Sequence, residues 1–308
     1  MQEVTVLVAA YNSEKYIEAL LRSLLAQTHG GLDIVLRDDG SSDETLSIAK
    51  KVSDADGRVR ILEKEGKGPS AKTNFSALLS GTDGDYTMFC DADDVWQRDK
   101  VEKTLSLMLK TEAEHAGVPV LVHTDLTVSE EDLGVIAPSL FGYEKLSPER
   151  KSFKNLLAQN NVTGCTVMIN RRLRETAGEI PDDAVMHDWW LALIAAALGE
   201  IAVLYEPTIL YRQHGKNQIG AYDAGSLRSA LRKVRAKETN RAVYSAMFRQ
   251  AGCFADSYKD LISEQQYEDA KRYSEMASLS KLGKIFRIIR RGYYKNTFVR
   301  NVGQFLVI

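Results

Sequence analysis

Residues 4–25 read VTVLVAAYNSEKYIEALLRSLL, and the change of rhythm after Ala10 decides the fold class. Val4 to Ala10 is a short apolar run of the kind that forms a strand. Beyond Tyr11-Asn12-Ser13, the apolar residues Ile17, Leu20, Leu21, Leu24 and Leu25 recur at i, i+3, i+4, i+7 and i+8, the stripe of a helix packed on a sheet. Asn12 or Ser13 is the expected cap of that helix. The same alternation continues outward: strands at 32–36 and 59–62, helices at 42–52 and 71–79, and a strand at 86–90 that ends in Asp91-Ala92-Asp93-Asp94. Gly66-Lys67-Gly68-Pro69 opens a loop between them. Successive βα units imply a mostly parallel, Rossmann-like sheet flanked by helices.

Residues 98–114 read as a helix and 118–122 as a strand, whereas 126–185 is less regular and suits an acceptor-side region. The apolar passage 189–205 is broken by Gly199 and Glu200 before it reaches a membrane-spanning length, so it reads as a buried helix followed by a strand. From about 226 onward the chain becomes helical and charged. These shifts divide it into a domain over 1–220, in two halves that meet at about 110, and a helical appendage over 221–308.

Across 308 residues, 40 Lys+Arg stand against 42 Asp+Glu, a formal net charge of −2, and 44% of residues are hydrophobic. That balance excludes wholesale disorder and argues against a general polyanion-binding surface, so no nucleic-acid partner is expected. Cys90, Cys165 and Cys253 are three, far apart and without CxxC spacing, which suggests neither a disulfide framework nor a structural zinc site. The N-terminal run has no basic region ahead of a long apolar core, so a cytoplasmic, reducing location is the expectation.

Acidic residues collect at strand ends. In open α/β sheets ligands bind outside the carboxyl ends of the strands, so Asp38, Asp39, Asp91, Asp93 and Asp94 are expected to face one crevice. Alternate carboxylates such as Asp91 and Asp93 suit a divalent cation and a sugar hydroxyl; a helix cap or a turn is the bland reading of the same spacing. Asp38-Asp39 suits the hydrogen-bond donors of a nucleobase or ribose, with Ser42 or Asp43 capping the next helix.

AAYNSEKYIEALLRSLLAQT (9–28), IVLRDDGSSDET (34–45) and FCDADDVW (89–96) occur in that order on successive βα units, and together they resemble the family 2 glycosyltransferases of the GT-A fold. The resemblance covers roughly residues 3–215 and implies a nucleotide-sugar half over about 1–110 and an acceptor half over about 111–220. It implies a metal-dependent, inverting transfer from a nucleotide diphosphate sugar. Ala10, Tyr11 and Asn12 would line the nucleotide pocket, Asp39 would hold the base with Asp38 beside it, Asp91 would address the ribose, and Asp93 would bind Mn²⁺ or Mg²⁺. Lys72 and Asn74 would sit near the nucleotide or donor sugar. His187-Asp188-Trp189-Trp190 places a carboxylate at a positive helix end beside two aromatic platforms suited to sugar faces, with a capping acid and core tryptophans as the alternative. By resemblance Asp188 is the general base, and the helix dipole is expected to hold it ionised. His214 or Arg212, in Tyr211-Arg212-Gln213-His214-Gly215, would reach the metal or the diphosphate. Thr163 and Gly164 belong to a segment that approaches the acceptor, Trp96 joins the sugar contacts, and Cys165 is more simply packed.

HDWW, the TGC segment and YRQHGKNQIG are similar to a bacterial rhamnosyltransferase-like branch, implying dTDP-rhamnose, or otherwise a UDP-hexose, as donor and a lipid-linked cell-surface saccharide as acceptor. The tail, LGKIFRIIRRGYYKNTFVRNVGQFLVI, interleaves apolar residues with Lys and Arg. It fits peripheral contact of residues 281–308 with the inner face of the plasma membrane, and fits equally a packed helical pair or a homodimer contact. A noncatalytic carbohydrate-binding scaffold is the competing class.

Overall fold

The computed structural model describes residues 2–63, 70–215 and 237–308. β1 (Val4–Ala10) pairs in parallel with β2 (Leu32–Asp38) on one side and β4 (Tyr86–Asp91) on the other, and β2 carries β3 (Val59–Ile61) beyond it. The sheet continues past β4 through β8 (Met168–Asn170), β6 (Val120–Ser129), β9 (Glu200–Arg212) and β5 (Val95–Trp96), with β7 (Val135–Ala137) at the side of β6. β8 runs antiparallel to both neighbours, while β6 and β9 are parallel. The β3-β2-β1-β4 side of the sheet is therefore parallel and the remainder is mixed.

Alternation along β1 sorts its side chains onto two cores. Val4, Val6, Val8 and Ala10 face the apolar stripes of α1 (Ile17–Leu25) and α4 (Lys100–Glu114), with α2 (Thr45–Ala55) beside them. Leu7 faces α3 (Ala71–Ser80) and α8 (His187–Leu198) on the other side. The second core also takes in α6 (Phe153–Ala158) and the C-terminal helices α9 (Lys237–Ser257), α10 (Glu264–Ser274), α11 (Lys281–Arg291) and α12 (Phe298–Val307), the last three in part. Trp190 meets Phe254 edge-on at 5.5 Å in that core. Shorter helices, α5 (Leu140–Tyr143) and α7 (Arg171–Ala177), close the acceptor half.

Several boundaries differ from the sequence reading. α1 starts at Ile17 with Tyr16 as its cap, because Asn12 adopts φ 45° and turns the chain toward the β2 loop instead. α2 starts at Thr45 with Glu44 in the cap position; Asp43 still accepts a hydrogen bond from Thr45 N at 3.0 Å from just outside. β6 runs to Ser129 although polar residues interrupt its pattern. Those side chains are buried yet paired: Asp125 accepts from Leu140 N (3.0 Å) and Ser139 Oγ (2.5 Å), which wraps the α5 turn around the strand. The glycine-rich loop 66–69, and residues 216–236, lie outside the described residues. No helix among the described residues is long and apolar enough to cross a membrane.

Gly199 joins α8 to β9 at a close backbone approach. A Cβ there would sit 1.8 Å from the carbonyl oxygen of Pro119, the oxygen that accepts a 2.9 Å bond from Glu200 N. Gly199→Ala is therefore expected to destabilise the fold by about 3 kcal/mol or more. Urea unfolding checks this, and a midpoint equal to wild type would refute the contact.

Candidate active site

Register brings the strand ends together. Ala10 pairs with Asp38 across β1 and β2, and Ala9 with Asp91 across β1 and β4, so three carboxyl ends finish at one level. A cleft of about 1480 Å³ opens there. Of the expected residues it is lined by Ala10, Tyr11, Asn12, Asp39, Asn74, Asp91, Asp93, Thr163, Gly164, His187, Asp188, Trp189 and His214. This volume suits a nucleotide sugar with part of an acceptor.

At the nucleotide end, Asp39 and Asn74 are held by a group the sequence reading passed over. Arg37 Nη1 donates to Asp39 Oδ1 at 2.8 Å and to Asn74 Oδ1 at 3.0 Å, and Ser70 N donates to Asp39 Oδ2 at 2.8 Å. An arginine inside the apolar run IVLRDD was the available signal, since a charge there must find a buried partner. Asn12 N donates to Ser41 Oγ at 2.8 Å and its Oδ1 accepts from Ser42 N at 2.9 Å, tying the two strand-end loops.

At the other end, β5 runs back along β9, pairing Val95 with Leu210 and Trp96 with Ile209. This hairpin-like return sets Asp93 Oδ2 2.7 Å from His214 Nε2. Tyr16 stacks on the His214 ring at 4.9 Å, its hydroxyl donates to Glu131 at 2.7 Å, and the Arg212 guanidinium lies 4.8 Å from the centre of the Tyr16 ring. Arg212 also donates to the carbonyls of Asp93 (2.8 Å) and Glu131. Tyr16 and Glu131 had no sequence signal, since an exposed-looking tyrosine in a helical prelude and a glutamate in a hairpin are ordinary.

The structure does not bring every candidate to the cleft. Asp38 does not line it: its oxygens accept from Gly40 N, Ser41 N and Ser41 Oγ, which closes a tight turn. Lys72 turns away to donate to the carbonyls of Asp182 (2.5 Å) and Ala184 (2.9 Å). Trp190 cannot accompany Trp189, because adjacent helical residues point about 100° apart and the cleft takes the first. Trp96 is buried beneath Lys100, whose Nζ sits 4.6 Å over its ring. Arg212 is buried behind Asp93 and His214. Asp94 is buried as well, with Oδ1 accepting from Arg212 N at 3.2 Å, and burial drives its pKa well above the ordinary carboxylate range. Asp91, Asp94 and Cys165 bring ligand atoms within 4.8 Å of one another, but two of the three are sealed in the core. Asp93 with His214 is the donor pair that opens on the cleft.

Asp188 is the second residue of α8 and lines the same cleft. Trp189 N donates to its Oδ1 at 2.7 Å, while the Asn160 amide and Gly164 N–H face the carboxylate. The dipole was expected to keep this acid ionised; burial outweighs the hydrogen bonds and raises it to about 6. It stays largely ionised at neutral pH and is a stronger base for the shift. Asp91 rises to about 7 through burial and then through Asp93 and Asp188. His187, wedged 4.2 Å from Phe75 and 5.1 Å from Phe89, is pushed down to about 3 by burial and is a neutral packing element.

A Rossmann-like sheet whose strand ends converge acids, a carboxylate and imidazole pair and a buried second carboxylate on one cleft is that of a nucleotide-sugar-dependent glycosyltransferase of the GT-A class. The sequence model for glycosyl transferase family 2 matches residues 5–176, and the chain belongs to that family. An uncharacterised glycosyltransferase of Nostoc sp. is 26% identical over 99% of this chain and 96% of its own. The dTDP-rhamnosyl transferase RfbG of Shigella flexneri is 28% identical over 69% of this chain and 73% of its own. Among solved structures, a mannosyltransferase of Pyrobaculum calidifontis in complex with GDP-Man and Mn²⁺ shares the fold at a TM-score of 0.50, with 17% identity over 99% of this chain and 84% of that one.

Two outcomes are expected. Turnover should climb with pH through about 6 as Asp188 loses its proton and level off above it, and Asp188→Asn should lower turnover at the plateau by about a thousandfold while donor binding is retained. A flat profile between pH 5 and 7 would place the base elsewhere. A Cβ on Gly164 would lie 3.0 Å from His187 Nε2 and 3.5 Å from Asp188 Oδ2. Gly164→Ala is expected to cost about tenfold in turnover by pushing on His187, the residue before Asp188 in α8; steady-state rates equal to wild type would remove the constraint.

Proposed function

We propose that the enzyme transfers L-rhamnose from dTDP-rhamnose, with inversion, to a hydroxyl of a lipid-linked precursor of a cell-surface polysaccharide. The carrying observation is that Asp188 shares one cleft with the Asp93–His214 pair, which supports a base and a diphosphate site serving one bound sugar. Asp188 takes the proton of the acceptor hydroxyl as that oxygen bonds to the anomeric carbon, and the bond from that carbon to the diphosphate oxygen breaks with its electron pair on the diphosphate. Asp39, fixed by Arg37 and Ser70, receives the nucleobase, and Asp91 the ribose.

Asp93 and His214 fit Mn²⁺ or Mg²⁺: one carboxylate oxygen and one imidazole nitrogen stand 2.7 Å apart on the cleft, where burial and then the charges of Asp93 and Asp188 raise the neighbouring Asp91. A divalent cation held there supplies charge stabilisation to the departing diphosphate. The likeness to RfbG supports dTDP-rhamnose, and the apolar residues Leu140, Leu146, Val243 and Met247 that line the same cleft support an acceptor that carries a lipid.

A thermal-shift series with nucleotide diphosphates and their sugars, with and without Mn²⁺, tests the reading. The expected result is a metal-dependent rise with dTDP-rhamnose that Asp93→Ala abolishes. A rise confined to a UDP-hexose would replace the donor, and no rise with any donor would favour a noncatalytic scaffold.

A further inference from the structure

We propose that the exposed apolar face of α12, with the basic residues around it, docks on an anionic lipid bilayer and so sets the mouth of the catalytic cleft at the membrane surface. The inference rests on the lipid-linked acceptor proposed above and names the surface that would meet it. Phe298, Val299, Val302 and Leu306 are exposed, Phe298 at 82%, and they fall within about 100° of one another around the helix. The opposite side of α12 buries Gln304 and packs Val307 against the core. α11 repeats the pattern, with Leu282 (79%), Phe286 and Ile289 exposed at i, i+4 and i+7 while Ile288 is fully buried. The two helices are tied where Lys281 Nζ donates to the carbonyl of Leu306 at 2.7 Å. Soluble chains rarely leave so many large apolar side chains together in water.

Charge selects the occupant. Residues 281–308 carry seven Lys and Arg and no acidic residue, and Lys281 and Arg290 are exposed. A symmetric second copy would set this basic face against itself, whereas an anionic bilayer complements both its charge and its apolar stripe. Continuity selects the purpose. Val299, Val302 and Leu306 also line the cleft that holds Asp188, so an acceptor anchored in the bilayer would meet the base without leaving the lipid surface. No described helix can span a membrane, so the contact is one that lies on it.

Sedimentation of the full chain with vesicles of phosphatidylcholine, with and without phosphatidylglycerol, tests the proposal. Binding to the anionic vesicles is expected, weakened by salt, and the double substitution Phe298→Gln/Leu282→Gln is expected to weaken it by about tenfold or more. Both residues are far enough exposed that folding is unaffected, and the donor-dependent thermal shift should be unchanged in the variant. No binding of the wild-type chain to anionic vesicles at low salt overturns the proposal, as does equal binding by the variant. A wild-type dimer in analytical ultracentrifugation that the variant loses, without vesicle binding, gives the face to a second copy and also overturns it. Failure of the donor shift itself counts against the proposed activity and leaves the vesicle result to stand on its own.

Discussion

The register of β1 against its two parallel neighbours is the constraint from which the site follows. With Ala10 level with Asp38 and Ala9 level with Asp91, the acids after β2 and β4 emerge at the same height on either side of Tyr11 and Asn12. A slip of one residue would send each strand's buried side chains to the opposite face. That slip is opposed by two cores at once, because Val4, Val6 and Val8 are committed to one and Leu7 to the other. Chemistry at the strand ends is thus positioned by packing well away from it.

Electrostatics works against that packing. Asp91, Asp93 and Asp188 share the cleft, Asp94 stands just behind, and desolvation raises Asp91, Asp94 and Asp188 above the ordinary carboxylate range. The fold tolerates this through distributed hydrogen bonds: Arg212 N on Asp94, Trp189 N on Asp188, and Arg37 on Asp39 at the remote end. For Asp188 the competition decides the chemistry. A helix N-terminus contributes typically less than about 1 kcal/mol, whereas burying a carboxylate costs several, so burial prevails and the acid is tuned toward neutrality. A carboxyl near 6 is a better proton acceptor than one near 4 and is still mostly ionised at pH 7.

Much of this was legible from residue order. Strands and helices of the first hundred residues declare their periods, and acids placed after apolar runs mark strand ends, so Asp39, Asp91 and Asp93 are found without coordinates. Asp188 and His214 needed the family resemblance, because a carboxylate before two tryptophans or a lone histidine has ordinary explanations. What failed depended on direction in space. Trp190, Trp96, Lys72 and Asp38 are the right residue types at the right points in the chain, yet helical phase, strand pairing or a nearby carbonyl turns each away from the cleft. β6 was cut short because its buried polar residues obscure the strand pattern, and their satisfaction by α5 is a tertiary fact.

The C-terminal helices, which the chain order presents as an appendage, are coupled to Asp188. Asn296 donates to Asn161 Oδ1 at 2.6 Å and to Gln159 Oε1 at 3.1 Å, and Arg150 donates to the carbonyl of Tyr294 at 2.8 Å while its own carbonyl accepts from Asn161. These bonds grip the segment that carries Asn160 and Gly164 to the Asp188 carboxylate. From the other direction Gln250 of α9 accepts from Val185 N at 2.7 Å, two residues before α8 begins. The loop and the helix end that together hold Asp188 are each fastened to the C-terminal helices. A displacement of those helices would therefore reach Asp188 through packed, hydrogen-bonded contacts on both sides, whereas the Asp93–His214 pair, held by β5, β9 and Tyr16, is fastened elsewhere.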